Sequence, residues 1–404
     1  MTGISYKQYI PDSPGQVGKL SEILIYFYFM LTFFEPYLNG VLGSVTKYYI
    51  FFLMLVLIIQ NNFTLKLRTF IIPYVVWLAY RFLTLLWTDN FRMFQQHVLS
   101  QIGMIALLVV LTSQPFEKRV LHNIVKTMWA SSFVISLLAM ELGQSYHGNI
   151  DERQVLVLFG QEVDPNNQAA FALVGISIAA YFLFYEKKYK IPAFVTLFVN
   201  FASMFLTGSR GSLVSVIIIV LFVIFFNGNN SGIASVFKKI LIFACVLLVI
   251  FYVLQNYVPQ DTLDRLFNFD EYEGGSERTL IWDNAFKLLR EDLNFIFGAG
   301  WGDYFGYNGF NNAMHNTYLA MLCDVGIVGF CVFFIPILQK AFLCLREKEY
   351  LPVMLLMAGL LPSFFLEAIN KRFFWNVIIF LFIFVISNNQ KESEQSYETN
   401  SADK

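Results

Sequence analysis

The sequence predicts an all-α, polytopic integral membrane protein of about 12 transmembrane helices with one large extracytoplasmic loop. Three observations predict it. Hydrophobic residues make up 57% of the 404-residue chain. Charged residues account for only 14%, against roughly 25% in a soluble domain. The apolar residues also gather in runs near the length that a hydrocarbon core of about 30 Å requires, roughly 20 residues per helix.

The runs lie at approximately 22–38, 43–60, 69–87, 97–113, 121–142, 165–185, 191–207, 211–227, 237–257, 316–338, 350–368 and 373–387. Residues 1–21 are polar and carry no basic stretch leading into a cleavable apolar segment, so the first run reads as an anchor rather than a signal. The organisation expected is a cytoplasmic N-terminus over 1–21, helices over 22–257, a large outer loop over 258–315 and three more helices over 316–387. The last residues, 388–404, read as a disordered cytoplasmic tail.

Orientation comes from Lys and Arg in alternate loops. With the N-terminus inside, one side collects Lys7, Lys19, Lys66, Arg68, Lys118, Arg119, Lys187, Lys188, Lys190, Lys238, Lys239, Lys340, Arg346, Lys348, Lys391 and Lys404. The opposite short loops hold only Lys47, Arg92, Arg153, Arg210, Lys371 and Arg372. Basic loops stay cytoplasmic, so both termini are expected inside and the segments 143–164 and 258–315 outside.

A net charge of −1 without polybasic blocks argues against nucleic acid as a partner. Cys245, Cys323, Cys331 and Cys344 lack metal-ligand spacing and sit in or beside apolar runs, so they read as small core residues. No Asp-x-Asp pair occurs in the outer loop, and Asp270, Glu271 and Glu273 lack clear ligand spacing, so neither a metal nor a cofactor is expected.

The run "FLTGSRGSLVSVIII" places Arg210 between two apolar stretches. As one helix, residues 191–227 would be about 55 Å long, too long for a bilayer, so Gly208 to Gly211 must turn. Arg210 then either snorkels to the outer interface or offers its five donors to an anion, with flanking glycines allowing a ligand close to the backbone.

In the outer loop, "GGSERTLIWDNAFKLLRED" has Ser276 as an N-cap and apolar residues at 281, 285, 288 and 289, the spacing of an amphipathic helix. Arg278 falls in its first turn, where the macrodipole disfavours a cation unless an anion is also present. It is a second candidate phosphate contact, or else an ordinary surface-helix charge beside Glu277.

Next comes "FGAGWGDYFGYNGFNNAMHNTYLAMLCDVGIVGF". Its glycines at 298, 300 and 302 fit neither a dinucleotide fingerprint nor a P-loop and read as turns. His315 precedes the tenth run, with Asn316 or Thr317 able to cap that helix, and is either an interfacial hydrogen-bonding histidine or a general base. In the other outer loop, Asp164 and Pro165 form an N-cap and N1 pair, while Asn166 and Asn167 also offer amides to sugar hydroxyls. Arg153, Lys371 and Arg372 read as interfacial anchors, and Arg81 and Lys126 are conspicuous charges within apolar spans.

Three elements together resemble the O-antigen ligase and polysaccharide polymerase superfamily, the Wzy-type integral membrane glycosyltransferases. They are "TGSRGSLVSVIII", "SERTLIWDNAFKLL", and "GAGWGDY" followed by "HNTYLAMLCDVGIVGF", in the family's order over roughly residues 160–340. The resemblance implies a helical fold of the polyprenyl-sugar glycosyltransferase type. It also implies that Arg210 and Arg278 hold the diphosphate of a lipid-linked sugar and that His315 assists the acceptor hydroxyl. Asn166 matches the family's "PN" element, and Asn316 and Trp282 are expected to add substrate contacts. The implied partners are an undecaprenyl-diphosphate-linked oligosaccharide, the bilayer of the bacterial inner membrane, and a flippase and chain-length regulator of the same pathway.

The expected activity is metal-independent, inverting transfer of a glycan from undecaprenyl diphosphate onto a lipid-linked repeat unit at the outer face, as in O-antigen, capsule or exopolysaccharide biosynthesis. Two alternatives stay open: a ligase making one transfer to another acceptor, and a polysaccharide flippase or transporter. The candidate chemistry clusters at the outer ends of spans rather than at the bilayer midplane, which favours an enzyme over a transporter.

Overall fold

A computed structural model describes residues 17–145, 153–226, 278–307 and 313–402, with single positions between 234 and 252. The chain is a helical membrane protein. Four described helices are long and apolar enough to cross a bilayer, at Phe91–Thr112, Lys118–Leu142, Pro165–Glu186 and Thr317–Arg346. Shorter apolar helices run at Val45–Gln60, Lys190–Leu206, Arg210–Phe226, Tyr350–Phe364 and Arg372–Asn388.

Helices α1 (Lys19–Leu42) and α2 (Val45–Gln60) form an antiparallel pair. Their far ends are tied by a hydrogen bond from Ser21 to Gln60. Helix α3 (Ile72–Thr84) starts with Pro73 in its first turn, where the missing N–H costs nothing, and α4 (Phe91–Thr112) is capped by the Asn90 side chain. Helix α5 (Lys118–Leu142) joins the same end of the bundle as α1 through Arg119, whose Nη2 lies 2.6 Å from Glu22 Oε1.

Three short antiparallel strands follow, β1 (Gly143–Ser145), β2 (Gln154–Leu158) and β3 (Gln161–Glu162). They add a small sheet to an otherwise helical chain. The signal is local: "QVLVL" alternates weakly, and Phe159 and Gly160 both take positive φ, the geometry of a two-residue hairpin turn. The sheet packs on α5 and lies over the end of the bundle where α6 begins.

Helix α6 (Pro165–Tyr181) is apolar and small on every side, with Ala169, Ala170, Ala172, Ala179 and Gly175, and it is buried almost throughout. A helix of that composition belongs at the centre of a bundle. It ends in a π-helical turn, Phe182–Glu186, before α7 (Lys190–Leu206) and α8 (Arg210–Phe226). The expected span at 237–257 lies largely outside the described residues.

Helix α9 (Arg278–Arg290) buries Ile281, Ala285, Leu288 and Leu289, the positions its periodicity predicts. With Ala299, Tyr304, Met314, Leu319, Ala320 and Cys323 they form a second core on one end of the bundle. The cap proposed at Ser276 lies outside the described residues. After the single turn α10 (Asn294–Phe297) come α11 (Thr317–Arg346), α12 (Tyr350–Leu360) with a 3-10 turn at Pro362–Phe364, and α13 (Arg372–Ala402). Residues 388–402 continue the α13 helix, where the sequence suggests a disordered tail. Lys, Glu and Gln dominate Gln390–Gln395, and no Gly or Pro stops the helix there.

The segment 296–303 is locked to the bundle at a kink in α11. Gly326 has φ +60° inside that helix, and a Cβ there would stand 2.3 Å from the Ile296 carbonyl oxygen. Gly298, with φ +85°, meets the Asp324 carbonyl in the same way at 2.4 Å. Two backbones touch, so both positions demand glycine. Beside them Arg81 of α3 is buried in a salt bridge to Asp324. Its guanidinium lies 3.9 Å from the Trp301 ring centroid and donates to Gln101 Oε1 at 2.5 Å. Asp324 Oδ1 also accepts from the Gly302 N–H at 2.8 Å. The intramembrane arginine singled out by sequence is therefore a pin between the bundle and the "GAGWG" segment.

Candidate functional site

The chain turns where bilayer thickness says it must. Helix α7 ends at Leu206, Gly208 takes φ +59°, and α8 starts at Arg210. Ser209 Oγ lies 2.8 Å from Asn166 Oδ1 and 3.1 Å from Ser212 Oγ, which ties the turn to the first turn of α6. Gly211 has a packing reason: a Cβ would stand 2.3 Å from the Phe365 ring. Close helix approach, rather than room for a ligand, accounts for that glycine.

Arg153, read from sequence as an interfacial anchor, is 3% exposed. Its Nε donates to the Thr207 carbonyl at 2.8 Å and its Nη2 to Asn166 Oδ1 at 3.2 Å. One planar fork thus holds the end of α7 and the start of α6 together, next to Arg210. Sequence reasoning misses this role because the partners are 13 and 54 positions away. Asn166 has its carbonyl oxygen engaged by Arg153 and Ser209, so its position is structural as well as adjacent to the site.

Asp164 caps α6 as expected, with Oδ1 accepting from the Asn166 and Asn167 N–H groups at 2.9 and 3.3 Å. Asn316 caps α11 by accepting from Tyr318 and Leu319 N–H groups, both at 3.0 Å. Between these two caps sits His315, half-buried, with a left-handed φ of +50°. A non-glycine residue seldom takes that conformation unless its surroundings impose it.

The surroundings of His315 are visible. The Met314 carbonyl accepts from Trp282 Nε1 at 3.0 Å, and its N–H donates to Glu367 Oε2 at 3.2 Å. Glu367 Oε1 accepts from the Tyr304 hydroxyl at 2.6 Å. On the other side, Thr317 donates its N–H and hydroxyl to the Leu366 carbonyl at 2.9 and 2.7 Å. Trp282, expected to contact substrate, thus also fastens α9 to the residue before His315. Glu367 had no sequence signal, since it lies 52 positions after His315 in an otherwise apolar region.

The charges of this region feel one another. Burial lowers the pKa of the Arg278 guanidinium, the nearby Asp164 carboxylate raises it, and the Arg210 guanidinium lowers it. Burial also lowers the His315 pKa below the ordinary histidine value, with Arg278 lowering it further and Asp164 opposing. Arg210, Arg278, His315 and Asp164 therefore share one electrostatic environment at the end of the bundle where α6, α8, α9 and α11 begin. Among the described residues, the Arg278 guanidinium feels both the Arg210 guanidinium and the Asp164 carboxylate, an arrangement of charged donors that can meet an anion. A neutral imidazole beside them is in the state that accepts a proton.

The other flagged charges lie elsewhere. Lys126 Nζ lies 5.1 Å from the Tyr189 ring centroid, and Arg372 is buried in an ion pair with Glu35. Among the described residues, no three of His, Cys, Asp or Glu gather as a metal-binding group.

Arg278 begins α9, which packs on the second core, and Arg210 begins α8 beside it, so the two arginines and His315 meet where these helices start. Residues 192–334 match the model of the family described as O-Antigen ligase, a match that supports the O-antigen ligase and polysaccharide polymerase superfamily. That match supports a transferase role in general terms. The matched segment contains Arg210, Arg278 and His315, while Arg153, Asp164, Asn166 and Glu367 lie outside it. No curated protein matches the chain.

Proposed function

We propose that the protein is a polysaccharide polymerase that transfers a glycan from undecaprenyl diphosphate onto a lipid-linked repeat unit at the outer face of the bacterial inner membrane. The observation that carries this reading is that Arg278 feels the Arg210 guanidinium and His315 feels Arg278, at the place where α8, α9 and α11 begin. The two guanidiniums grip the diphosphate and stabilise the charge that grows on it as the anomeric C–O bond breaks. His315 takes the proton of the acceptor hydroxyl, which attacks from the opposite face and inverts the anomeric centre. Removing one preorganised charge donor of this kind costs about 10²–10³ in rate, and general-base assistance contributes about 10²–10⁴.

The reading uses 12 spans with both termini inside and the outer loop at 258–315 on the active face. The described contacts place Ser21–Gln60 and Glu22–Arg119 at one end of the helical bundle and Arg153–Thr207 and Met314–Glu367 at the other. The partners are the lipid-linked oligosaccharide and, in the same pathway, a flippase and a chain-length regulator. The ligase reading shares every site residue and differs only in the acceptor. Purified protein given a defined lipid-linked repeat unit alone separates them. A ladder of products is the outcome expected of a polymerase, and no elongation without a second acceptor would overturn that in favour of ligation.

A further inference from the structure

In residues 293–297, four of five side chains are large, apolar and exposed. Leu293 is 58%, Phe295 53%, Ile296 40% and Phe297 45% exposed. They are held rigidly, because the Ile296 carbonyl abuts Gly326 of α11 and the Phe297 carbonyl accepts from the Tyr80 hydroxyl of α3 at 2.7 Å. The adjoining Gly298 carbonyl accepts from Trp87 Nε1 at 3.2 Å. A water-facing loop has no reason to present such a cluster on a fixed backbone.

What covers it is indicated by the helices it docks on. On α3, Val76, Tyr80 and Leu83 fall on one face at helical spacing, with Val76 and Leu83 exposed, and Trp87 lies in the turn that follows the helix. On α11, Val328, Ile335, Leu338 and Phe342 form an exposed apolar stripe that begins two residues after the Gly326 kink. From that kink to Arg346 is about 20 residues, the length of one bilayer crossing. The cluster on α10 is therefore the top of a continuous lipid-facing surface. Tyr80 and Trp87 at the seam are the residue types that favour the headgroup level.

We infer that α10, with the end of α9, is not held above the membrane but dips into the leaflet on the site's side, with Leu293, Phe295, Ile296 and Phe297 among lipid acyl chains. The Asp283–Lys287 ion pair of α9, at 2.8 Å and exposed, marks the face that stays in water. This placement concerns protein and bilayer alone and stands apart from the glycosyl-transfer reading.

The test uses the full chain in phospholipid nanodiscs, with a nitroxide label on Phe295→Cys or, as a second site, Leu293→Cys. A label on Asp283→Cys is the water-facing reference, and the unsubstituted chain reports labelling of native cysteines. The expected result is that labels at 295 and 293 collide with oxygen and lose collisions with a water-soluble nickel chelate, whereas the label at 283 does the reverse. Nickel accessibility at 295 and 293 equal to that at 283 would overturn the inference. Shielding from both reagents would overturn it too, since a protein surface rather than lipid would then cover the cluster.

Discussion

Arg153 Nη2 donates to Asn166 Oδ1 at 3.2 Å while its Nε reaches the Thr207 carbonyl at 2.8 Å, so one buried guanidinium joins the start of α6 to the turn that delivers Arg210. Arg153→Lys keeps a charge but not the fork. Leaving buried partners unsatisfied costs about 1–3 kcal/mol. The expected outcome is a lower unfolding temperature in detergent together with reduced turnover. An unchanged unfolding temperature and turnover would show that the fork does not hold the turn.

His315 provides a pH test. Its pKa is lowered by burial and by Arg278, so the imidazole stays neutral through the range where an ordinary histidine, near 6.5, becomes protonated. The acid limb of kcat/KM is therefore expected below about 6.5. Arg278→Gln removes one lowering influence and moves the His315 pKa up. Asp164→Asn preserves the N-cap, removes the opposing carboxylate, and moves the limb down. The Asp164→Asn shift is read from the pH profile of glycan transfer, and the Arg278→Gln shift from NMR titration of the His315 imidazole. His315→Gln is expected to lose about 10²–10⁴ in rate at unchanged abundance in the membrane.

Arg81 and Asp324 supply a stability prediction. Removing one partner of a buried ion pair costs about 3–5 kcal/mol, whereas replacing both with apolar residues often costs far less. Arg81→Met or Asp324→Leu alone should therefore reduce the folded protein recovered from membranes, and the double substitution should recover part of the loss. Thermal unfolding of the three variants distinguishes this coupling from simple additivity.

The metal-free reading is tested by removal. Glycan transfer is expected to survive chelator unchanged. Loss of activity restored by Mg²⁺ or Mn²⁺ would assign the charge stabilisation to a cation instead of Arg210 and Arg278.

The elements legible in the sequence are those set by local physics. Bilayer thickness dictates the break at Gly208, Asp164-Pro165 is a cap whatever surrounds it, and the apolar positions of α9 repeat at helical spacing. The segments that escaped detection depend on distant partners. Arg153 looks like any interfacial cation until Thr207 and Asn166 close around it, and Glu367 acquires a role only through Tyr304 and Met314. The glycines of "GAGWG" read correctly as turns, but the demand for glycine at 298 comes from contact with the Asp324 backbone on another helix. The strands at 143–162 are too short to outweigh a helical composition.

The most direct measurement is turnover of a defined undecaprenyl-diphosphate-linked repeat unit by purified protein, with released undecaprenyl diphosphate and glycan product followed together. The account predicts stoichiometric release and transfer by the unsubstituted chain, and loss of both in folded Arg210→Ala and Arg278→Ala variants. Full turnover by either folded variant would contradict it.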